Sequence, residues 1–390
     1  MYRRPDRVCR MLKKLFPYGL IVAVFAHSLN QLMAVRPRYA YTKNMTIRLA
    51  TDAEIAEWDA RVLANPDGGN IFQGDEFAEQ KKLSGWTPRR LMADDLALTV
   101  LEKSVFGLGK FWYLPKGPGI SSVVQLGNLL PDLHGFAKKH GVFAVKLEPE
   151  LEKTDDAVKA LHEFGLLPVS PIQPNASTVL IDLSPDLDTV LMNLNQKGRH
   201  AIRRAERDGV TIERVEATDE NCRLFYDLLA DTAAGSFVIR PYDYYFKFWR
   251  RYADARLGQL FFAHFEGQLV AGAFAMVFGE KSVYKDGASV RERKAYGASH
   301  LLQWHVMQWA KENGSAVHDL CGTPPSSEIG NTQHRWYGVG LFKTSFNKHV
   351  TDYVGAYDLV VRPGKYSLWL KFGERAAKSL WWRRHHESWY

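Results

Sequence analysis

The sequence is poor in the residues that would signal metal, redox or disulfide chemistry. Three cysteines, Cys9, Cys222 and Cys321, are scattered over 390 residues with no CxxC pair. That excludes a disulfide framework and a thiolate zinc site, and fits a reducing compartment. The histidines form no HExxH pattern, and no Walker loop, dinucleotide fingerprint or nucleophile elbow is present. Long apolar runs are missing too. Leu15–Ala26 spans about a dozen residues, against roughly 20 for a membrane-spanning helix. No long heptad pair argues for a coiled-coil arm.

The body also lacks a net charge. The whole chain carries +8, but residues 1–44 hold nine basic residues and one acid. Residues 45–390 therefore balance 42 basic against 42 acidic residues. Within them, 361–390 has seven basic and two acidic residues. Global basicity is thus no argument for a nucleic-acid partner; only local cations are. Three readings of residues 1–44 stay open: translation from upstream of a true start at Met45, a membrane-surface anchor, or an export signal. Fold reasoning sets this segment aside.

What is present is alternating helix and strand of a globular α/β (α+β) protein. Helical spacing begins at Thr51, and a second helix is expected near Glu76–Leu83. Strands follow at Arg90–Met92, Ala97–Leu101 and Lys110–Leu114. A helix near Leu129–His140, a strand Phe143–Glu148 and a helix Thr154–Phe164 come next. The Pro- and Asn-rich stretch Pro168–Asn175 marks a boundary. The same order then recurs: strand Ser177–Asp182, a helix Asp186–Asp208, and strand Thr211–Val215. Helices Glu220–Thr232 and Tyr242–Ala253 precede strands Leu260–Phe265, Gln268–Phe278 and Lys281–Ala288. Helix Ala298–Asn313 and strand Ala316–Asp319 close the second set. A terminal helix near Trp369–Trp382 mixes Trp, Leu, Lys and Arg, as either a packed helix or a membrane-surface helix.

Four local features carry chemistry. Lys197, with Arg199, Arg203 and Arg207 at four-residue spacing, makes a basic helix stripe that can track phosphates or simply be solvated. Arg240 stands just before Pro241, where a helix N-terminus offers free N–H groups to an anion. Lys343 lies among apolar residues in Gly338–Phe346. It reads as a strand lysine, either an edge gatekeeper or a buried cation aimed at developing negative charge. Lys294–Ser299 looks like an acyl-CoA pyrophosphate loop, with Lys and Ser at two positions that depart from the pattern.

Short motifs in a fixed order carry a resemblance. They include Asn70-Ile71-Phe72-Gln73, Gly85-Trp86, Tyr113–Pro118, Lys146–Glu150 and Ile172-Gln173-Pro174. Val179–Leu183, Asp208-Gly209-Val210, Arg240-Pro241, Gly287-Ala288-Ser289, Gln303-Trp304, Tyr337-Gly338, Phe342-Lys343 and Val354–Asp358 complete the set. Together they resemble the Fem family of tRNA-dependent aminoacyltransferases that build peptidoglycan interpeptide bridges, in its compact, armless form. The resemblance implies two tandem GNAT-like domains with mixed sheets. The first would span 45–175, completed by 352–390, and the second 176–351. It implies transfer of an amino acid from aminoacyl-tRNA to a stem-peptide amine of a muramyl-pentapeptide precursor, lipid-linked in preference to nucleotide-linked. No cofactor and no metal are implied. A monomer is expected, cytoplasmic or peripheral at the inner membrane face. By the same resemblance Lys343 positions the aminoacyl end and stabilises the oxyanion, with Phe342 packed beside it and Glu148 as a weak candidate base. Lys81, or its neighbour Lys82, and Arg240 would hold acceptor phosphates. Tyr244 and Asp286 would be acceptor contacts. The Lys197–Arg207 helix would hold phosphates or tRNA. The alternatives are an acyl-CoA-dependent N-acyltransferase and a non-catalytic membrane- or tRNA-binding module.

Overall fold

The computed structural model describes residues 45–173, 176–233, 239–290 and 295–390. Two mixed sheets organise them. The first has seven strands in the order Ile47–Leu49, Thr87–Ala93, Leu96–Val105, Gly109–Leu114, Val142–Leu147, Ala356–Val360, Leu167–Val169. The second has six, in the order Leu180–Asp182, Val317–Asp319, Lys281–Ser289, Gln268–Phe278, Gly258–Phe265, Thr211–Val215. Each sheet contains one parallel pair, Gly109–Leu114 with Val142–Leu147 and Lys281–Ser289 with Val317–Asp319. Each pair is joined by a long crossover helix, Val123–Lys139 or Ala298–Glu312. A parallel pair needs such a crossover, so the repeat of element order is also a repeat of topology.

The alternating apolar faces of the strands explain the packing. Helix Val123–Lys139 covers one face of the first sheet through Leu126, Leu129, Leu130 and Leu133. Helix Ala298–Glu312 covers the second through Leu301, Leu302, Val306 and Met307. A third core lies between the sheets and draws on both: Phe111 and Tyr113 from one, Phe262, Phe274 and Met276 from the other, closed by Trp369 and Trp389. The two sheets therefore share buried surface. A short ribbon, Ser177–Thr178 with Thr351–Asp352, ties the chain between them.

Several elements differ from the sequence expectation. The Asp186–Asp208 helix is two helices, Leu187–Asn193 and Gln196–Arg207. Leu194 and Asn195 are extended between them, because Asn195 N–H donates to the Phe346 carbonyl at 2.6 Å. Lys343 is not on a strand; it ends helix Tyr337–Lys343. Gly340 lets that helix lie close to Pro324 and Ile329, where a Cβ would come within 2.9 Å of each. The terminal helix starts at Pro363, loosens into a π segment at Trp369–Gly373, and continues as Glu374–His385.

Candidate active site

Two cavities open along the seam between the sheets, and Phe72 lines both. Phe72 is held by a short 3-10 turn, Ile71–Gln73, that Asn70 caps by accepting from the Phe72 N–H at 2.9 Å. The Asn-Ile-Phe-Gln motif thus builds the wall between the cavities.

The smaller cavity, about 210 Å³, is cationic. Lys81, Arg240 and Lys285 line it with Tyr244, Tyr245, Phe248 and the chain end at Ser388 and Tyr390. Among the described residues no Asp or Glu side chain lines it. Lys81 comes from helix Asp75–Lys82 and is buried, with its Nζ 5.3 Å from the Phe77 ring centre. Lys82 is turned outward and pairs with Glu79 at 2.5 Å, so Lys81 is the lysine that faces the cavity. Burial, then the charges of Arg240, Lys103 and Lys285, lowers the Lys81 pKa to about 7. Like charges held this closely in a dry place favour either loss of a proton or the arrival of an anion.

Arg240 stacks over Tyr244 at 4.4 Å, and one guanidinium nitrogen donates to the terminal main-chain oxygen of Tyr390 at 2.8 Å. Its Nη1 is buried without a hydrogen-bond partner. Burial raises the Tyr244 pKa, keeping the phenol neutral as a donor. Lys103 stands behind the chain end. It sits among the rings of Trp86, Trp381 and Trp389 at 4.6, 4.1 and 4.9 Å, and donates to the Trp389 carbonyl. Burial and Arg240 push its pKa down to about 7. Asp286 does not point at the cavity as a free acceptor. It accepts from Trp249 Nε1 at 2.9 Å and from Lys285 at 3.1 Å. Burial acts to lower the Lys285 pKa, but Asp286, Tyr245 and Tyr244 more than reverse that and keep it charged.

The larger cavity, about 400 Å³, has mixed polarity. Lys116, Lys281, Asp67, Glu150, Asp319, Cys321 and Tyr353 are among its walls. Lys116 pairs with Glu150 at 3.2 Å, and Asn70 donates to the same carboxylate at 2.8 Å. Lys343 lies just behind the Cys321 wall. Its Nζ donates to the carbonyls of Cys321 at 2.5 Å and Gly322 at 2.9 Å. An ammonium has three donors, so one N–H remains. Burial lowers its pKa, partly offset by Cys321 and Asp319. The gatekeeper reading fails, since Lys343 is only 8% exposed and on no strand edge. Phe342 packs against His300 and Phe346, with ring centres 5.0 and 5.3 Å away.

Glu148 is placed as an anchor. Tyr113 OH donates to one oxygen at 2.5 Å, and the N–H groups of Ile172 and Gln173 donate to the other at 2.5 and 3.2 Å. Both oxygens already accept hydrogen bonds and Glu148 lines neither cavity, which counts against a base role. Instead it fixes Ile172 and Gln173, which line the cationic cavity. The basic helix is only partly a free stripe. Arg199 donates to the carbonyls of Met192 and Leu194 and so closes the preceding helix. Lys197, Arg203 and Arg207 are exposed, and Arg207 bonds Asp208 at 3.3 Å. None of the four lines either cavity. The helix start is nonetheless tied to the Lys343 segment, by Gly198 N–H donating to the Ser345 carbonyl at 2.9 Å.

The acyl-CoA-like loop lies only partly within the described residues. Lys294 lies outside the described residues. Gly297 has φ +79°, and a Cβ there would come within 2.2 Å of the Ala201 carbonyl. This glycine serves close packing of two helices. Sequence reasoning missed Lys103, Lys285, Lys116, Glu150 and Asp319. Lys116 and Glu150 sat inside quoted motifs; Lys285 and Asp286 form an adjacent opposite-charge pair on strand Lys281–Ser289, the one signal that was available for Lys285.

Comparison with known proteins identifies the family. The FemAB family model matches residues 169–266 and 260–371. The lipid II:glycine glycyltransferase of Staphylococcus aureus strain MRSA252 is 23% identical over 397 residues, covering 80% of this chain and 93% of that protein. Its counterpart in strain USA300 gives the same figures. A crystal structure of FemX superposes with a TM-score of 0.70 at 23% identity, over 83% of this chain and 99% of that one. The chain belongs to the FemAB family.

Proposed function

We propose that the protein is an aminoacyltransferase of cell-wall synthesis that moves an amino acid from aminoacyl-tRNA to the stem-peptide amine of a lipid-linked muramyl-peptide precursor. The observation that carries this reading is the pair of cavities sharing Phe72, one cationic and one leading to the Cys321–Lys343 wall. An acceptor with its phosphates on Lys81, Arg240 and Lys285 would run its peptide past Phe72 toward the donor. Tyr244 holds Arg240 from below, and Asp286 acts through Lys285.

The chemistry asks little beyond placement. The acceptor nitrogen, once deprotonated, attacks the ester carbonyl carbon. The C–N bond forms, the carbonyl electrons move to oxygen, and on collapse the C–O bond to the tRNA 3′-oxygen breaks. The nitrogen's proton leaves to solvent and the departing oxygen gains one. The third N–H of Lys343 is suited to the transient oxyanion, and losing such a donor costs about 100- to 1,000-fold in rate. Phe342 keeps the Lys343 turn in place. No base role is assigned to Glu148. Exposed Lys197, Arg203 and Arg207 offer a track for tRNA phosphates on the outer face.

The test offers purified protein charged tRNA or acyl-CoA, each with lipid-linked and nucleotide-linked acceptor. Product only from charged tRNA, with lipid-linked acceptor preferred, is expected. Product from acyl-CoA alone would overturn the proposal. The adaptation of Gly297 to helix packing counts against a CoA-binding loop.

A further inference from the structure

Exposed apolar side chains are unevenly spread. Sixteen large ones are exposed among the described residues, and five of them fall within residues 368–382. Helix numbering explains the arrangement. Trp369, Gly373, Ala377 and Trp381 recur every fourth residue and turn inward. The row one residue earlier, Leu368, Phe372, Ala376 and Leu380, turns outward, with Leu368 53%, Phe372 70% and Leu380 65% exposed. A solvated helix face normally carries charge there.

A second element adds to this face. The turn at Val105–Gly109 leaves Phe106 fully exposed. Leu108, two residues on, is the neighbour a Cβ on Gly373 would meet at 3.0 Å. The turn therefore abuts the helix at Gly373, next to Phe372. Cations frame the patch: Lys371, Arg375, Arg383 and Arg384 are all exposed on the same helix. The acid Glu374 is already engaged by Lys378 and Tyr390, each at 2.8 Å.

We propose that this face, with Phe106, Leu368, Phe372 and Leu380 at its centre, docks on an anionic lipid bilayer. Apolar tips ringed by cations match the boundary between acyl chains and anionic headgroups. Nucleic acid would use the cations and leave these four large side chains in water. The position also has a consequence, which rests on the function proposed above. The helix runs directly into Trp389 and Tyr390, and Tyr390 lines the cationic cavity. Docking would hold that cavity at headgroup depth, where the phosphates of a lipid-linked acceptor lie.

The test uses the full chain, sedimented with neutral phosphatidylcholine vesicles and with vesicles containing about a third phosphatidylglycerol. The variants are a triple Phe106→Ser, Phe372→Ser, Leu380→Ser and a triple Arg375→Glu, Arg383→Glu, Arg384→Glu. All six sites are exposed, so the fold should survive; circular dichroism checks it. Wild type should partition onto anionic vesicles and at least tenfold less onto neutral ones. Each variant should lose at least tenfold, while transfer to a soluble, delipidated acceptor stays within twofold. Wild-type failure to bind anionic vesicles overturns the proposal. So does undiminished binding by both variants, which would place the contact elsewhere in the chain, for example in residues 1–44. A serine variant that instead abolishes a dimer in solution also overturns it, in favour of self-association. If wild type binds vesicles but transfers nothing from charged tRNA, docking stands and the proposed function falls.

Discussion

Lys81→Met should make the protein more stable while removing acceptor binding. In the free protein Lys81 is buried beside Arg240, with Lys103 and Lys285 nearby, and its pKa falls from 10.5 to about 7. A gap of that size corresponds to roughly 5 kcal/mol of penalty for keeping the charge, as an upper figure. Methionine keeps most of the stem packing on Phe77 and removes the charge. Replacing buried charge by an apolar group of similar volume commonly gains about 1–4 kcal/mol, and a gain in that range is expected near pH 7. The sign with pH follows from proton counting. Between pH 7 and 10.5 the unfolded chain holds a proton at this position that the folded chain has released, so wild-type stability rises with pH. The variant lacks that rise. Its advantage should shrink by about 2 kcal/mol between pH 7 and pH 9, as read from urea denaturation at both values. Inorganic pyrophosphate should stabilise wild type at pH 7 and leave the variant unchanged. A Met variant that is less stable than wild type at pH 7, or an advantage independent of pH, would refute the idea of a cation strained for an anion.

Other outcomes follow from the same geometry. Arg240→Ala should raise the acceptor KM about 10- to 100-fold, as loss of charge-assisted hydrogen bonds would, with kcat changed less; steady-state kinetics separates the two. Glu148→Gln should cost about 1–3 kcal/mol of stability, since it disturbs three hydrogen bonds at a buried site. Its kcat should fall far less than that of a Lys343 variant, and an equal fall would restore Glu148 as a base. Gly297→Ala should destabilise by more than about 1 kcal/mol in thermal melts, because φ is +79° and the Ala201 carbonyl blocks the new Cβ.

The strands were legible because two-residue alternation and apolar runs are local signals. Gln268–Phe278 and Thr211–Val215 match their expected bounds. Lys343 was not, because its helix inverts the usual rule. Val339 and Leu341 are about 40% exposed, while Gly340 and Lys343 are buried. Only the close approach to Pro324 and Ile329 makes that helix worthwhile, and no local pattern reports it. The break at Leu194-Asn195 is hidden for the same reason, since the partner is Phe346. Lys103 and its three tryptophans are up to 286 residues apart in sequence. Chain order cannot reveal such a cage. Lys81 was singled out through the resemblance and Arg240 also by its place before Pro241, while their convergence on one cavity is tertiary.

The central claim is transfer from charged tRNA with Lys343 at the reacting centre. The most direct test is single-turnover transfer of a labelled amino acid from charged tRNA to lipid-linked acceptor, by wild type and by Lys343→Ala at saturating substrates. The account predicts product from wild type and a fall of about 100- to 1,000-fold in the variant, with acceptor binding retained. Unchanged transfer by the variant, or no wild-type transfer from any charged tRNA, would contradict it.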